Sequence, residues 1–360
     1  MSSLLAILKQ QILENGPMAL EDYMKAALLH PEFGYYQRGK TFGAKGDFIT
    51  APEISQMFGE LIGLWCIDCW VKLGSPEKFH LVELGPGNGT LMCDALRSAA
   101  LVPEFLSAAE ITLVEASAQL TLRQQQTLSA HSITWCDVWP TFRDALPIIA
   151  IGNEFLDALP VRQYEQVDGN WAERKIALAG DKLTFMCEDV DASALPENLP
   201  PTSECDEGSI FETNPTAERI CSNIAADIAK NGGSALFIDY GPSESGLGDS
   251  FQSVQHHKYT DPLDNPGTSD LTAHVDFARL SHLATAQNCK TYPISSQGRF
   301  LERLGIEARA LILSRNAADA QKTKIAGDLQ RLISSKEMGT LFKAMTFYAN
   351  MTEGPAGFSE

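Results

Sequence analysis

An acid followed by three alternating glycines is the part of the sequence with the clearest chemical meaning. Glu83 stands two positions before Gly85, and Gly87 and Gly89 follow at every second position. Glycine permits positive φ and close backbone approach, and a helix that begins after such a turn offers unpaired N–H groups. This arrangement predicts a site for a nucleotide-type ligand at the carboxyl end of a strand.

Two details of this turn limit which ligands it can bind. Thr90 stands where a dinucleotide fingerprint would place its third glycine, and the lysine of a phosphate loop is absent. The carboxylate of Glu83 would repel a pyrophosphate, but it suits a cation that carries an ammonium or a sulfonium group. S-adenosylmethionine carries both groups, so the turn predicts this cofactor. The alternative is a glycine turn that binds no ligand.

A second acid is placed to bind the sugar of such a cofactor. Glu115 ends the next predicted strand, over residues 111–115. One carboxylate can accept hydrogen bonds from both hydroxyls of a ribose. An acid at a strand end is weak evidence alone, but its interval after the glycine turn favours this role.

A pair of acids follows the predicted strand over residues 147–152. Asn153 comes first, and Glu154 and Asp157 are three positions apart, which would place both on one side of a helical turn. Two carboxylates directed at the methyl group of the cofactor can hold a guanidinium bidentately. We therefore predict that Glu154 and Asp157 orient an arginine. The alternative is a helix N-terminus that favours acids through its dipole.

Residues 270–276 add further polar side chains. His274 is a candidate for taking a proton, and a packed or capping histidine is the alternative. Asp270 and Asp276 either add negative charge for a basic peptide or cap the next helix. The neighbouring histidines His256 and His257 lack the spacing of metal ligands, so no metal site is predicted.

These residues require a sheet that brings the carboxyl ends of several strands together. Apolar runs bounded by turn residues predict an α/β fold with a seven-stranded, doubly wound sheet. The predicted strands cover residues 79–84, 111–115, 133–136, 147–152, 235–240, 289–295 and 308–314. Helices are predicted over residues 2–14, 19–29, 50–73, 90–96, 215–229, 318–333 and 336–348. A capping box from Thr50 to Glu53 is expected to open the third helix.

The chain is predicted to consist of a core with additions. Residues 1–75 would form an N-terminal helical extension with a lid loop, and the core would cover residues 76–160 and 209–348. Alternating polar and apolar residues over 161–208 predict an antiparallel β insertion after the fourth strand. Residues 242–272 are rich in turn formers and predict a loop insertion after the fifth strand.

The predicted lid loop covers residues 35–50 and combines glycines with aromatic residues. Glycines grant mobility, and aromatic rings give the loop an apolar surface to bury when it closes. We expect the loop to fold over the cofactor, with Asp47 near the methionine end of the ligand. The alternative is that Asp47 serves only the entry into the following helix.

Composition and charge limit the classes of function. The chain has 360 residues, 44% of them hydrophobic, and a net charge of −18. This charge argues against a nucleic-acid partner and suits a basic protein, unless acidity serves solubility alone. The eight cysteines lack the spacing of a disulfide framework, and Cys66 and Cys69 lie in an apolar helix, which predicts reduced thiols. Because no apolar run would span a membrane and the start lacks the pattern of a signal peptide, we expect a cytoplasmic location without membrane insertion.

Several motifs together resemble one family. They are GYYQRGKTFGAKGDFITAPEISQMFGELIGLW, LVELGPGNGTLMCDALR, LVEAS, GNEFLDALPV, FIDYG and LTAHVDF, in this order. In this combination the chain resembles the MidA-type family of class I S-adenosylmethionine-dependent methyltransferases. These are bacterial relatives of the mitochondrial complex I assembly-factor protein arginine methyltransferase. The family often has a basic residue in the glycine turn where this chain has Asn88.

The resemblance implies a Rossmann-like class I core, S-adenosylmethionine as cofactor, and a complex I subunit with a symmetrically dimethylated arginine as product. It places an acid such as Asp137 near the adenine amino group and an apolar residue such as Val138 against the ring. The full set of predicted cofactor residues is Glu83, Gly85, Pro86, Gly87, Asn88, Gly89, Glu115, Ala116, Asp137, Val138, Asn153 and Asp47. The predicted catalytic residues are Glu154, Asp157 and His274.

Two other functions stay open at this point. A small-molecule methyltransferase would have a closed pocket without acidic walls. An assembly factor without catalysis would keep the fold and bind the cofactor only for stability. The sequence also leaves the oligomeric state open, with a homodimer among the alternatives.

Overall fold

A computed structural model describes residues 3–37, 49–255 and 258–358. The α-helices are α1 (Leu4–Asn15), α2 (Leu20–Leu29), α3 (Ala51–Ile54), α4 (Gln56–Lys72), α5 (Thr90–Ala99), α6 (Pro103–Ala108), α7 (Ala118–Thr127), α8 (Pro215–Asn231), α9 (Phe277–Ala286), α10 (Gln297–Arg303), α11 (Ile306–Ser314), α12 (Asp319–Ile333) and α13 (Met338–Leu341). The strands are β1 (Met18–Ala19), β2 (Phe79–Leu84), β3 (Ala109–Val114), β4 (Ile133–Cys136), β5 (Ile148–Asn153), β6 (Arg162–Val167), β7 (Asn170–Ala179), β8 (Lys182–Asp189), β9 (Ile210–Thr213), β10 (Gly233–Tyr240), β11 (Gln252–Gln255), β12 (Lys258–Thr260), β13 (Asp270–Thr272), β14 (Lys290–Thr291), β15 (Ser295–Ser296) and β16 (Phe342–Ala349).

The central sheet has the strand order β4-β3-β2-β5-β10-β16-β14, and β15 also pairs with β16. Strands β4, β3, β2, β5 and β10 are parallel. Strand β16 runs antiparallel to β10, β14 and β15. If β14 and β15 are counted as two parts of one strand, the sheet has the predicted seven strands. The order reverses between β2 and β5, which is where a doubly wound sheet opens a ligand crevice.

Helices cover both faces of this sheet. One face packs on a large core that includes α4 and α5, and the other packs on α8 and α9. Strands β2 and β10 are buried along their whole length, as expected for parallel strands with helices on both sides. The predicted α/β doubly wound core is therefore confirmed.

Two C-terminal predictions are wrong. Residues 308–314 were predicted as a strand but belong to helix α11, and residues 342–349 are not part of a helix but form strand β16. A short apolar run such as ALILS does not distinguish a strand from a buried helix. The run FKAMTFYA pairs with β10 along its whole length, and this pairing outweighs its helix-compatible composition. The sixth predicted strand is reduced to the two-residue strands β14 and β15.

The predicted helix over residues 50–73 is two helices, α3 and α4, which are separated at Ser55. The Ser55 backbone is extended, and its hydroxyl accepts from the Met57 N–H, so Ser55 is the cap of α4. Thr50 makes no side-chain cap, and Glu53 bonds elsewhere, so the predicted capping box is wrong.

The N-terminal helices and both insertions pack together in one cluster. Strands β6 to β9 form an antiparallel sheet with β1, and residues 242–272 contain the three-stranded sheet of β11, β12 and β13. The second insertion is therefore not a plain loop; its strands are too short and polar to show an alternating pattern. Leu8, Leu28, Ile176, Phe251 and Leu271 share one core, which joins α1 and α2 to both insertions. Among the described residues, no helix has both the length and the apolar character needed to cross a membrane.

Candidate active site

The glycine turn lies between β2 and α5, as predicted. Gly85, Gly87 and Gly89 have φ values of 61°, 52° and 79°, which are all in the left-handed region. A Cβ on Gly85 would lie 2.7 Å from Cδ2 of Phe155, so this glycine also permits a close contact. The Gly89 N–H donates to the Pro86 carbonyl at 2.7 Å and closes the turn. The turn therefore needs glycine for conformation as well as for space.

Two buried oxygen atoms beside this turn have no partner among the described residues. They are Oε2 of Glu83 and Oδ1 of Asn153, and both residues line a small cavity with the glycine turn. Burial, and then the charge of Glu115, raises the pKa of Glu83 to about 8. A buried acceptor without a donor is costly, so these oxygens suit a ligand that brings N–H groups.

Glu115 stands just beyond β3 and is already held by two hydrogen bonds. One oxygen accepts from the Ser117 N–H at 2.8 Å, and the other accepts from Nε2 of Gln124 at 2.9 Å. Gln124 also donates to the Gly87 carbonyl at 2.9 Å and accepts from Nε1 of Trp135 at 3.1 Å. Gln124 thus ties the glycine turn, Glu115 and β4 together. Burial raises the pKa of Glu115, whereas these hydrogen bonds lower it.

Glu53 from α3 holds the other side of the turn. Its Oε1 accepts from Nδ2 of Asn88 at 3.1 Å and from the Thr90 hydroxyl at 2.7 Å. Asn88 therefore has a local structural role in place of the basic residue that the family often carries. Sequence patterns missed Glu53 because it was assigned to the cap of its own helix.

Glu154 directly follows β5, is half-buried and has a positive φ of 49°. Its Oε1 accepts from the Ala51 N–H at 2.8 Å and from Nδ2 of Asn153 at 3.0 Å. Burial raises the pKa of Glu154 to about 7, and the Ala51 hydrogen bond opposes this shift. No helix begins at residues 154–157. The dipole of its own helix therefore does not explain Glu154; it caps the start of α3 instead.

Asp157 is held by a third acid, Asp239, which sequence patterns did not assign. Asp239 Oδ2 accepts from the Leu156 N–H at 2.9 Å and from the Asp157 N–H at 3.2 Å. Burial raises the pKa of both carboxyls, and Asp157 further raises that of Asp239. The Tyr240 hydroxyl acts on Asp157 in the opposite direction. The only sequence signal for Asp239 was its position at the end of the fifth strand.

Glu154 and Asp157 face a cavity of about 350 Å³, which we call the acidic cavity. Its lining includes Tyr36, Thr50, Glu154, Asp157, Tyr240, Asp270, Thr272, His274 and one arginine, Arg331, and its exposed residues include Tyr259 and Leu341. Thr50 and Glu154 also line the cavity beside the glycine turn, so the two spaces adjoin. The structure therefore brings the predicted cofactor turn and the predicted arginine-binding acids to one place.

Comparison with known proteins agrees with this geometry. The model of the family described as "Putative S-adenosyl-L-methionine-dependent methyltransferase" matches residues 61–295. A Drosophila melanogaster protein, named protein arginine methyltransferase NDUFAF7 homolog, mitochondrial, is 36% identical over 96% of this chain and 85% of its own length. The chain belongs to this methyltransferase family. The human protein arginine methyltransferase NDUFAF7, mitochondrial, is 34% identical over 93% of this chain and 81% of its own length.

Two solved structures from Burkholderia thailandensis are similar to this family member over 98% of its length and 93% of their own. One was solved with bound S-adenosyl-homocysteine and has a TM-score of 0.85 at 28% identity. The other is a native structure with a TM-score of 0.81 at 27% identity. The predicted class I fold, the family resemblance and S-adenosylmethionine as cofactor are confirmed.

The residues present fit this cofactor. The unpaired oxygens of Glu83 and Asn153 would accept from its ammonium group, and the carboxylate of Glu115 has lone pairs left for the ribose hydroxyls. The glycine turn leaves the backbone open to the methionine portion. Ala116, Asp137 and Val138 lie exposed at the ends of β3 and β4, at the same edge of the sheet. Their roles toward adenine stay predictions.

His274 lines the acidic cavity together with Glu154 and Asp157. It is exposed, and its ring meets that of Tyr240 edge-on at 5.5 Å. Partial desolvation, and then the charge of Lys343, lowers the pKa of His274. A neutral imidazole at this wall is able to accept a proton. Asp47, His256 and His257 lie outside the described residues, and so does most of the predicted lid loop.

One group of potential metal ligands lies at the amino ends of β2 and β3. Nε2 of His80 is 2.8 Å from Oδ1 of Asp144, and Nζ of Lys78 is 2.8 Å from Oε1 of Glu110. These side chains already satisfy one another, and the group lies away from the acidic cavity. All eight cysteines are free thiols, and Cys66 and Cys69 are buried in α4.

Proposed function

We propose that this methyltransferase modifies an arginine side chain of a basic protein. The supporting observation is the acidic cavity, because Glu154 and Asp157 line it and Glu154 also lines the cavity beside the glycine turn. Paired carboxylates match the fork of a guanidinium. The names of the curated relatives also support arginine as the acceptor. Following the family resemblance, we propose a subunit of respiratory complex I as the acceptor protein.

In the proposed reaction, S-adenosylmethionine supplies a methyl group that the arginine nitrogen takes with loss of one proton, while the C–S electron pair stays on sulfur. Glu154 and Asp157 accept from guanidinium nitrogens that do not react, and so they localise positive charge away from the reacting nitrogen. Asp239 fixes the turn that carries Asp157. Because the geometry is built in advance, positioning contributes most of the rate enhancement. His274 or one of the carboxyls with a raised pKa then takes the proton.

The test is Glu154→Gln, which keeps the size of the side chain and removes its charge. We expect cofactor binding close to that of the wild type and a loss of turnover of at least about tenfold. The measurement is methyl transfer from labelled cofactor to arginine-bearing proteins and peptides, with calorimetry for cofactor affinity. Gln keeps an oxygen for the Ala51 N–H, so the cap of α3 should survive, and an unchanged melting temperature is the control. Wild-type turnover in the variant would contradict the proposed role.

A small-molecule substrate has less support. That function predicted a closed pocket without acidic walls. The acidic cavity has three carboxylic acids, Glu154, Asp157 and Asp270, and an exposed edge at Tyr259 and Leu341. If Glu154→Gln and the wild type methylate no arginine protein but both bind the cofactor, the non-catalytic assembly function takes precedence.

We also propose a reducing compartment, the cytoplasm, as the location of this chain. The eight free cysteines support this, because disulfides form in oxidising compartments. Fractionation of the source cells with an antibody to the chain is the test, and recovery outside the cytoplasmic fraction would contradict it.

A further inference from the structure

A second cavity, of about 200 Å³, lies beside the acidic cavity. It is formed by β9, the starts of α8 and α9, and the exposed segment over residues 242–250. His274 lines both cavities and forms part of the wall between them. No residue predicted for cofactor binding lines this second cavity.

The strongest sign that the second cavity binds something is the hydroxyl of Thr213. Thr213 is only 8% exposed, it lines this cavity, and its Oγ1 has no hydrogen-bond partner among the described residues. Buried hydroxyls are normally paired, because leaving one unpaired destabilises the fold. A ligand in the second cavity that carries an N–H donor would complete the hydrogen bonding of Thr213.

The charge of the lining is negative. Four carboxylic acids line the second cavity: Glu212, Glu218, Glu244 and Asp276. Among its described lining residues Arg279 is the only arginine or lysine, and Glu218 binds it with distances of 3.0 Å to Nε and 2.9 Å to Nη2. The other three acids have no arginine or lysine partner in the lining. Asp276 caps α9, as one of its two predicted roles, by accepting from the Arg279 backbone N–H at 2.9 Å, and it also accepts from the Ser245 hydroxyl at 2.8 Å. Leu247, which is 43% exposed, adds an apolar surface at the edge.

A chain of hydrogen bonds connects this lining to the wall of the acidic cavity. The Ser250 N–H and hydroxyl both donate to Oε2 of Glu212. The Ser250 hydroxyl oxygen in turn accepts from the backbone N–H of His274 at 2.8 Å. Glu212 and Ser250 of the second cavity therefore hold the backbone of His274, which separates the two cavities. A peptide that lies across His274 can place one side chain in each cavity.

We propose that the second cavity binds a cationic side chain, lysine or arginine, that flanks the target arginine in the acceptor protein. This inference rests on the proposed function and adds a rule of specificity to it. The Thr213 hydroxyl accepts one N–H of the flanking cation, and Glu244 and Asp276 supply the charge that attracts it. The acidic cavity would then select the modified arginine, and the second cavity would select its sequence context.

The test compares peptides that share one arginine and differ only in their neighbours. One peptide has neutral neighbours, one set carries a lysine at successive positions on either side, and one set carries glutamate there. For the wild type we expect a KM about tenfold lower for the best lysine peptide than for the neutral one, with kcat nearly unchanged. Glutamate at the same position should raise KM above that of the neutral peptide.

Two variants assign this preference to the second cavity. Thr213→Val removes the hydroxyl at nearly constant volume, and Glu244→Gln removes an exposed charge. Each should raise KM for the lysine peptide several-fold toward the neutral value and leave the neutral peptide unaffected. Glu104→Gln, an exposed acid that does not line this cavity, is the matched control and should retain the full preference.

The outcomes separate the two proposals. The second-cavity inference alone is overturned if the neutral peptide is methylated and lysine does not lower KM. It is also overturned if the variants change KM equally for the lysine peptide and the neutral peptide. If the wild type binds S-adenosylmethionine but methylates no arginine peptide or protein, the proposed function fails and this inference fails with it.

Discussion

At the scale of single residues, Glu83 makes cofactor binding depend on pH. Its pKa is raised to about 8 by burial, so the carboxyl is mostly protonated at neutral pH before the ligand binds. A cationic cofactor favours the carboxylate, so binding should release a proton. We expect affinity for S-adenosylmethionine to rise as pH increases from about 6 to about 7.5, by up to about tenfold per unit. Calorimetry in buffers of different ionisation enthalpy measures both the affinity and the proton.

The variant Glu83→Gln is the control for this pH dependence. The amide keeps the shape of the side chain but does not titrate, so its affinity should be lower at neutral pH and nearly independent of pH. The same slope in wild type and variant would assign the titration to another group, with Glu115 as the next candidate because its pKa is also raised by burial.

At the scale of helices and strands, α11 is joined to α4 by an ion pair. Arg309 of α11 binds Glu60 of α4 through Nε at 2.7 Å and through Nη2 at 3.0 Å, and Glu60 is only 5% exposed. Arg309→Met should leave buried Glu60 with the longer ion pair to Arg97, at 3.4 Å, and reduce the free energy of unfolding by about 1–3 kcal/mol. Urea denaturation measures this loss.

A second substitution shows whether the loss comes from the unpaired acid. In the double variant Arg309→Met with Glu60→Met, the buried charge is gone, so most of the stability should return. If the double variant is as unstable as the single one, packing of the arginine stem rather than the charge of Glu60 holds α11 in place.

The elements differ in how well their sequences predict them. Strands β2 to β5 were predicted within two residues of their bounds, because each is a short apolar run that glycine, proline or an acid ends. Helix α11 and strand β16 were interchanged in type, because only pairing with β10 identifies the strand. The strands of residues 242–272 carry no periodic signal.

Some residues of the candidate site could likewise be predicted from the sequence, and others could not. Glu83 lies near the carboxyl end of β2, and Glu154 and Asp157 come shortly after β5, so their positions at one edge of the sheet could be predicted. Asp239 binds the Leu156 N–H and Gln124 binds the Gly87 carbonyl, both far away in sequence, and no local pattern reveals such contacts. The orientation of Glu154 toward α3 was also hidden, since it depends on where the Ala51 N–H lies.

At the scale of the whole molecule, the buried acids should make the ligand-free protein less stable as pH rises. The pKa values of Glu83 and Glu154 are raised from 4.5 to about 8 and about 7, so the folded state binds more protons than the unfolded state between these values. Their contribution to stability is complete near pH 4.5 and is lost as pH rises through about 7 to 8. The net charge of −18 adds repulsion in the same direction.

The measurement is the melting temperature of the ligand-free protein across this pH range. We expect a fall of several degrees between about pH 5.5 and pH 8, with a shallower slope in Glu83→Gln. Saturating S-adenosylmethionine should restore most of the loss at the higher pH, because it binds only the folded state. A melting temperature that rises over this range would show that these carboxyls are ionised in the folded protein.

The core that joins α1 and α2 to both insertions has a consequence during synthesis. The two helices are made more than two hundred residues before Phe251 and Leu271, which complete their core. At about 5–20 residues per second, the apolar sides of α1 and α2 wait for roughly 10 to 50 seconds. Over that time they are exposed apolar surfaces on a growing chain, to which a chaperone can bind. Strands β2, β3, β4, β5 and β10 are complete before Phe251 is made, whereas β16 follows Leu271. The parallel part of the central sheet can therefore pair before the core of α1 and α2 is complete.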